Sequence, residues 1–337
     1  GGISYSGFTD SYNYSENTTI ISQGGASAGF VNFVTSKFYA NAHCYVVLPR
    51  LEIVDNRYVF HFLKLNQEKL TNCQHGAGIP ALKKSEIVNL QIPIPCPDNP
   101  KKSLAIQAEI VRILDTFTEL TTELTTELKA RRKQYNYYRN KLLTFDEGDV
   151  EWKALGELAE NLDSQRKPVK GGLRETGDIP YYGASGVVDY VKDYIFDEDL
   201  LLVSEDGANL TARKTPIAFS VSGKSWVNNH AHVLRFETYH ERRYVEYYLN
   251  GIDLTPYISG AAQPKLNKKN LNSIRIPNPS PERKELIVGT LDKFDTLTSS
   301  ISDGLPREIE LRQKQYEYYR ALLLSFPTPE EPREVVA

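Results

Sequence analysis

The stretch Ser220-Val221-Ser222-Gly223-Lys224-Ser225 ends as a phosphate-cradling loop ends, with Gly-Lys-Ser placed so that backbone N–H groups and a lysine could hold phosphate oxygens. That motif needs a glycine five residues before Gly223, and Ala218 stands there. Lys224 therefore reads as a surface lysine, matched in the other half of the chain by Lys37. His43 and His230 also occupy matching positions, but no HExxH or paired His/Cys spacing accompanies them, so they read as satisfied structural histidines rather than metal ligands. No GxSxG elbow presents a nucleophilic serine. An adenine methyltransferase needs an Asn-Pro-Pro-aromatic motif, whereas Asn99-Pro100 and Asn278-Pro279 continue with Lys and Ser. Neither a catalytic set nor a metal site is expected. The chain reads as a binder.

Its 337 residues suit two domains of ordinary size. Hydrophobic residues make up 40%, yet no apolar run approaches the roughly 18 residues needed to cross a bilayer, and no secretory pattern is visible. Cys44, Cys73 and Cys96 lack CxxC spacing and fit a reducing cytoplasm better than a disulfide framework or zinc cluster. The net charge of −3 announces no polyanion partner, so any nucleic-acid reading must rest on local surfaces. The chain contains no methionine and begins Gly1-Gly2, which is not expected of an intact gene product.

An internal repeat organises the rest. IISQGGA (20–26) matches LVSEDGA (202–208), and SKFYANAHCYVV (36–47) matches GKSWVNNHAHVL (223–234). HGAGIPALKK (75–84) matches SGAAQPKLNK (259–268), and SEIVNLQIPIPCP (85–97) matches KNLNSIRIPNPSP (269–281). The order is the same in both halves and the offset stays near 184, as from Ser85 to Lys269. So long a repeat is a duplicated domain plus helix, not a solenoid unit of roughly 20 to 50 residues.

Each module shows short β-rich runs, such as 45–49, 200–207 and 217–221, with helical patches at 57–67 and 242–252. Each ends in an Ile-Pro signature, at 92–95 and 276–279, which should be an extended exit because proline neither donates to a ladder nor continues a helix.

Long helices come after each exit. In the first, Ile106, Ile110, Ile113, Phe117, Leu120 and Leu124 alternate steps of four and three, and Tyr135, Tyr138, Leu142 and Phe145 resume the pattern of a coiled-coil seam. Between them TELTTELTTEL steps by four from Leu120 to Leu128, which interrupts the heptad and would locally unwind a supercoil. The second begins near Pro281, carries Leu286, Leu291, Phe294 and Ile301, and breaks at Asp303-Gly304-Leu305-Pro306, with the glycine as a C-terminal cap and the proline opening a new helix. The helices end alike, KQYNYYR at 133–139 and KQYEYYR at 314–320. Two similar modules on antiparallel helices would suit a two-part site on an extended, regular ligand such as duplex DNA. Each added TTEL unit would lengthen a helix by roughly 6 Å and turn it by about 40° beyond a full turn, one or two base pairs of displacement.

With these motifs together, the chain resembles the specificity (S) subunit of type I restriction-modification enzymes. The resemblance rests on TELTTELTTEL, the KQYxYYR endings, HGAGIPAL with SGAAQPKLNKKNL, and the paired Ile-Pro exits, and spans nearly all of 1–326. It implies an α+β protein: two similar mixed α/β target recognition domains separated by two long helical segments that form an antiparallel coiled coil with approximate twofold symmetry. Each domain would read one half of a bipartite, asymmetric double-stranded DNA site, and the helices would set the spacer. Two methyltransferase (M) subunits would dock on the helices and two restriction (R) subunits would join for ATP-dependent cleavage. The chain would be non-catalytic and cytoplasmic; S-adenosylmethionine, Mg2+ and ATP would belong to the partners. The implied division is 1–100 for the first recognition domain, 101–146 for the first helical spacer, 147–280 for the second domain, 281–326 for the second spacer and 327–337 for a tail. Residues 151–185 resemble the usual opening of a recognition domain and have no counterpart in the first half, so the first domain is expected to lack roughly 35 residues at its start.

Base readout and phosphate clamping need polar and basic side chains on loops. In the first domain the candidates are Ser22, Gln23, Lys37, Asn41, Lys83 and Lys84, from loops 22–27 and 76–84 and two single positions. In the second, loops 204–214, 224–229 and 260–269 supply Ser204, Asn209, Arg213, Lys214, Lys224, Asn228 and Lys268, with Gln263, Lys265 and Asn267 the sharpest. Lys129, Arg131, Arg132 and Lys133 read equally as a solvated helical face or as subunit docking, with Lys314 a further docking candidate. Tyr135, Tyr137, Tyr138, Tyr316, Tyr318 and Tyr319 read as coiled-coil core and interface aromatics, of which Tyr135, Tyr138, Tyr316 and Tyr319 are docking candidates. Two other classes stay open: the recognition part of a single-chain restriction or modification enzyme, and a coiled-coil scaffold that binds no DNA.

Overall fold

The computed structural model describes residues 5–76, 78–146, 148–260, 263–300 and 302–326. The expected tail at 327–337 and the seam residue Ile301 lie outside the described residues. The first elements are β1 (Thr18–Ser22), β2 (Val31–Val34), β3 (Cys44–Val47), α1 (Asn56–Leu65), α2 (Gln67–Asn72), α3 (Lys84–Val88) and α4 (Pro100–Leu143). Next come β4 (Glu151–Ala154), α5 (Leu155–Leu158), β5 (Glu160–Asn161), β6 (Thr176–Gly183), β7 (Gly186–Val191), β8 (Phe196–Asp197), β9 (Leu200–Ser204), α6 (Asn209–Ala212), β10 (Ala218–Val221), β11 (Lys224–Val227) and β12 (Ala231–Arg235). The last are α7 (Tyr239–Gly251), α8 (Lys268–Asn272), β13 (Arg275–Asn278), α9 (Pro281–Ser299) and α10 (Leu305–Leu323). The chain divides into two compact units, residues 1–128 with 301–337, and residues 129–300. The division falls inside α4, which is one uninterrupted helix.

In the first unit β1 is the centre of an antiparallel sheet ordered β2-β1-β3. Asp55 caps α1 by accepting from the Tyr58 N–H, and the helix turns Tyr58, Val59, Phe62 and Leu63 inward. They share a core with Ile21 and Val31 of the sheet, Ile110 and Leu114 of α4, and Leu324 just after α10. Of the expected Ile106–Ile113 pattern, Ile106 and Ile110 join this core; the buried positions of α4 here are Ser103, Gln107, Ile110 and Leu114. Two of them are polar because the helix also seats a loop: Gln107 accepts from the Asp55 N–H at 2.8 Å and donates to the Ile53 carbonyl at 3.1 Å. Phe117 stacks on Tyr319 of α10 at 5.4 Å. Along the tandem repeat Thr121, Thr122, Thr125 and Thr126 donate their hydroxyls to carbonyls four residues back, so these polar residues are satisfied within the helix.

In the second unit β9 is buried along its whole length, at the centre of the antiparallel order β10-β9-β12-β5; cover on both faces accounts for the unbroken run Leu200-Leu201-Leu202-Val203. A second sheet, β7-β6-β11-β8, joins β6 and β11 in parallel. The exit containing Ile276-Pro277 is β13, paired with β4 in a two-stranded ribbon, while residues 92–95 of the other exit carry no regular structure. Helix α7, capped by Thr238, packs on α9 within one core that also takes in Tyr135, Leu142 and Phe145. Contacts of Arg132 with Thr298, Tyr138 with Phe294 and Phe145 with Arg283 run in opposite sequence order, so the end of α4 and α9 run in opposite directions within this unit.

The break before α10 stands where it was expected, but Gly304 is the N-cap of α10 with an ordinary φ of −97°. Helix α9 has already ended, with Ser300 as its extended C-cap, so no left-handed glycine is needed there.

Candidate nucleic-acid interface

Two loop clusters, one in each unit, are built by the same hydrogen bonds. In the first, the Gln23 N–H donates to the His43 carbonyl at 2.9 Å, the Leu82 N–H to the Gln23 carbonyl at 2.8 Å, and the Gly25 N–H to the Pro80 carbonyl at 2.8 Å. In the second, the Glu205 N–H donates to His230 at 2.9 Å, Leu266 to Glu205 at 2.7 Å, and Gly207 to Pro264 at 3.3 Å. His75 and Ala81 exchange two backbone bonds, as Ser259 and Lys265 do. Asn41 and Asn228 each accept, through Oδ1, from the N–H of a histidine two residues on. Gly76 and Gly260 both turn at positive φ, +103° and +83°, where an added Cβ would lie 2.8 Å from the Ile79 carbonyl oxygen and 2.5 Å from that of Gln263. The matched sequence blocks are thus matched turns.

The clusters bring together Ser22, Gln23 and Asn41 in one unit, and Ser204, Asn228 and Lys265 in the other. A cavity of about 230 Å³ in the first is lined by Ser22, Lys37 and Asn41 with Gly7 and Phe8; one of about 250 Å³ in the second is lined by Asn209, Asn228 and His230 with Gly183 and Ala184 at the β6–β7 turn. Ser204 donates its hydroxyl to the Ala184 carbonyl. Lys37 lies 4.6 Å over the Tyr12 ring and Lys224 4.7 Å over that of Tyr194. Lys83 is the N-cap of α3 and Lys84 its first residue; Asn267 caps α8 by accepting from Asn270, and Lys268 opens that helix in solvent. Asn209 exchanges two bonds with the Thr215 backbone at 3.0 Å. Arg213, at φ +50°, donates to the Ile252 carbonyl at 2.8 Å. Lys214 and Gln263 are exposed. His230 is bonded to Asp206 at 2.9 Å but half exposed, and His43 is exposed; the buried histidines are His61 and His232.

The clusters differ in the charge behind them. Glu205 accepts from Arg166 at 2.6 Å and from Lys265 at 3.0 Å, and Asp163 accepts from His232 at 2.6 Å. Burial pushes both carboxyls up, but the hydrogen bonds and charges of Arg166 and Lys265 on Glu205, and of His232 on Asp163, hold both below the ordinary range. Asp163, Glu205 and His232 lie close enough to hold a cation, yet Arg166 and Lys265 already neutralise the carboxylates. In the first unit these places are taken by neutral Gln23, Ala81 and Tyr45. Tyr45 donates to the Leu82 carbonyl at 3.0 Å, where His232 Nε2 meets that of Leu266 at 2.6 Å.

On the long helices, Tyr138 stacks on Phe294 at 5.7 Å, Tyr135 lies 6.3 Å from the same ring, and Tyr316 meets His61 Nδ1 at 3.1 Å. Arg131 bonds Gln134, Arg132 the Thr298 carbonyl, and Lys314 Glu310. Tyr137 and Tyr318 remain exposed.

A further repeated contact escaped the sequence reading. Asp115 of α4 accepts from Arg57 and His61 of α1, each at 2.8 Å, and Asp292 of α9 accepts from Arg243 of α7 at 2.9 Å and Tyr247 at 2.6 Å. The signal was present: RYVFHFL (57–63) matches RYVEYYL (243–249), and LDTF (114–117) matches LDKF (291–294).

The family described as the type I restriction modification DNA specificity domain matches residues 1–133 and 147–311. This chain belongs to that family. It is similar to the type I restriction enzyme EcoR124I/EcoR124II specificity subunit of Escherichia coli, 42% identical over 298 residues, 81% of this chain and 72% of that one. A putative type I restriction enzyme specificity subunit of Haemophilus influenzae is 39% identical over 57% of this chain, which spans half of that relative's length. Among solved structures, the S subunit of a type I restriction-modification system from M. genitalium gives a TM-score of 0.67 over 97% of this chain and 88% of its own, at 22% identity. A structure of type I complex assembly gives 0.56 over 92% and 82%, at 14%. These last two likenesses are of fold. The specificity chain is thus a DNA specificity subunit of a type I system, in which catalysis belongs to partner subunits, and among its described residues no helix is long and apolar enough to cross a membrane.

Proposed function

We propose that each loop cluster reads one half of a bipartite, asymmetric DNA site. The observation that carries this reading is the pair of clusters itself: one backbone scaffold built twice, with Gln23, Ala81 and Tyr45 in one copy and Glu205, Lys265 and His232 in the other. Like scaffolds with unlike linings are what two different half-sites need, since backbone geometry sets the approach and side chains choose the base. The recognition domains then occupy 1–100 and 147–280, and the helical spacers 101–146 and 281–326. Within the spacers α4 pairs with α9 and α10 as an antiparallel coiled coil of approximate twofold symmetry. Two methyltransferase subunits dock on the helices, with Arg131, Arg132 and exposed Tyr137 on α4 and exposed Lys314 and Tyr318 on α10 as contact points, and two restriction subunits complete the complex. S-adenosylmethionine, Mg2+ and ATP serve those partners.

The tandem Thr-Glu-Leu repeat is the spacer ruler, a role supported by the continuity of α4 through it. Inserting one four-residue unit lengthens the helix by about 6 Å and rotates the downstream residues by about 40°. Sequencing the sites methylated by complexes with one unit added or removed is expected to show the same half-sites at a spacing changed by one or two base pairs. Altered half-site bases at constant spacing would refute the ruler.

A further inference from the structure

Lys265 stands in the loop that the second cluster holds by its backbone, with its side chain half exposed. Its ammonium is 3.0 Å from Oε1 of Glu205, whose Oε2 is fixed by Arg166 at 2.6 Å. Glu205 is nearly buried, and Arg166 is tied in turn to the Ala231 carbonyl at 2.8 Å and lies 3.5 Å from Asp163. The carboxylate is therefore a fixed anchor and the lysine the movable partner. In the first unit the two positions are Gln23 and Ala81, so both charges are present in one copy and both absent from the other.

A lysine free on a DNA-facing loop seeks phosphate. Each such contact releases counterions and steepens the salt dependence of binding by about 0.9, without sequence information. A lysine tied to a carboxylate has its charge compensated and its direction set, and two of its three N–H donors remain. We propose that Glu205 makes Lys265 a specificity-determining residue, an oriented donor for the O6 and N7 acceptors of a guanine edge in the second half-site rather than a phosphate clamp. The inference rests on the proposal that this loop meets DNA.

The test uses the chain assembled with its methyltransferase subunits, with binding to cognate and random duplexes measured between roughly 50 and 200 mM salt and methylated sites sequenced. Lys265→Gln is expected to weaken cognate binding about tenfold, the scale of one good base contact, to relax preference at one base pair of one half-site, and to leave the salt slope unchanged. Glu205→Gln, which keeps the backbone bonds of the turn, is expected to steepen the slope by about 0.9 and to tighten random-duplex binding about three- to tenfold. A Lys265→Gln slope that flattens by about 0.9 with every preference intact would make the residue a phosphate contact and overturn the inference. So would a Glu205→Gln slope that does not change. Should Glu205→Gln fail to fold, as a thermal melt would show, the Lys265→Gln arm decides alone, because that half-exposed side chain leaves no buried charge without Arg166. Exchanging residues 259–266 for 75–82 separates the two levels. If the exchange alters site preference while Lys265→Gln does not, only the lysine's role fails; if neither alters it, the placement of the loop on DNA fails too.

Discussion

Two polar clamps join the modules to their long helices, Arg57–Asp115–His61 in one unit and Arg243–Asp292–Tyr247 in the other. Both set an aspartate of the long helix under an arginine of the module helix, and in both a tyrosine one residue after that arginine donates to a proline carbonyl of the exit, Tyr58 to Pro93 at 2.9 Å and Tyr244 to Pro277 at 3.0 Å. They differ in the third group and in how much surrounds it. Asp292 takes a further hydroxyl from Tyr239 at 2.7 Å, and Arg243 also reaches Glu246 at 2.7 Å and Asp295 at 3.3 Å. Asp115 is held by Arg57 and His61, with His61 backed by Tyr316. The comparison separates what joins module to helix, which is the same twice, from what can vary around it, and the loop clusters divide in the same way.

Removing the shared aspartates probes that division most strongly. Asp292→Ala takes the shared acceptor from buried Tyr247, from half-exposed Tyr239 and from Arg243, which keeps Glu246 and Asp295, and is expected to cost about 2–4 kcal/mol. Asp115→Ala, which removes the partner of a partly exposed Arg57 and of a buried, neutral His61, should cost about 1–2 kcal/mol once solvent screening of the Arg57 pair is allowed for. Hydrogen exchange during urea unfolding assigns each loss to a unit: lowered protection in α7 and α9 for the first, in α1 and α4 for the second. Equal costs, or losses in the unsubstituted unit, would break the comparison.

The loop glycines come next. Gly260→Ala and Gly76→Ala each place a Cβ against a carbonyl oxygen at positive φ, and should cost about 1–2 kcal/mol confined to the loop. On the proposed reading each weakens recognition of one half-site and leaves the other intact, which methylated-site sequencing reports directly.

Legibility followed the range of each contact. The four matched blocks named the turns of both clusters, because each turn is local and its glycines and prolines carry its shape. The blocks did not show that Leu82 and Leu266 hang from Gln23 and Glu205, nor that the carboxylate of Glu205 recruits Arg166 from a segment with no counterpart in the other half. The clamps stayed hidden because Arg57 and Asp115 are 58 residues apart, and a helix periodicity ranks apolar positions while passing over an aspartate. Matching also singled out His43 and His230, which lie in exposed turns, ahead of His61 and His232, whose halves place Tyr247 and Tyr45 opposite them. A repeated residue marks a repeated turn, not burial.

The smallest effect expected is one of acidity. His61 is fully buried, and burial pulls its imidazole below the ordinary value by more than the hydrogen bond and charge of Asp115 restore. With Nε2 donating to Asp115 and Nδ1 accepting from Tyr316, the neutral ring fits the site. A histidine whose folded value lies below its unfolded one near 6.5 binds protons better when unfolded, so its contribution is intact above that pH and is lost as the pH falls toward the folded value. Asp115, held below the ordinary carboxylate range despite burial because His61 and Arg57 bond it, adds its own loss only below about 4. In the second unit Tyr247 is pushed upward, first by burial, and stays neutral throughout this range. Glu246, raised by burial beyond what Arg243 and Ser220 offset, binds its proton more readily when folded and so works in the opposite sense between its ordinary and raised values. Acidification from about pH 7 to about pH 5 is therefore expected to weaken the first unit and spare the second, read as hydrogen-exchange protection of α1 against α7 corrected for intrinsic rates. His61→Tyr should flatten the response of the first unit, and Tyr247→His should confer one on the second. If α1 keeps its acid response in His61→Tyr, the difference between the units lies outside the clamps.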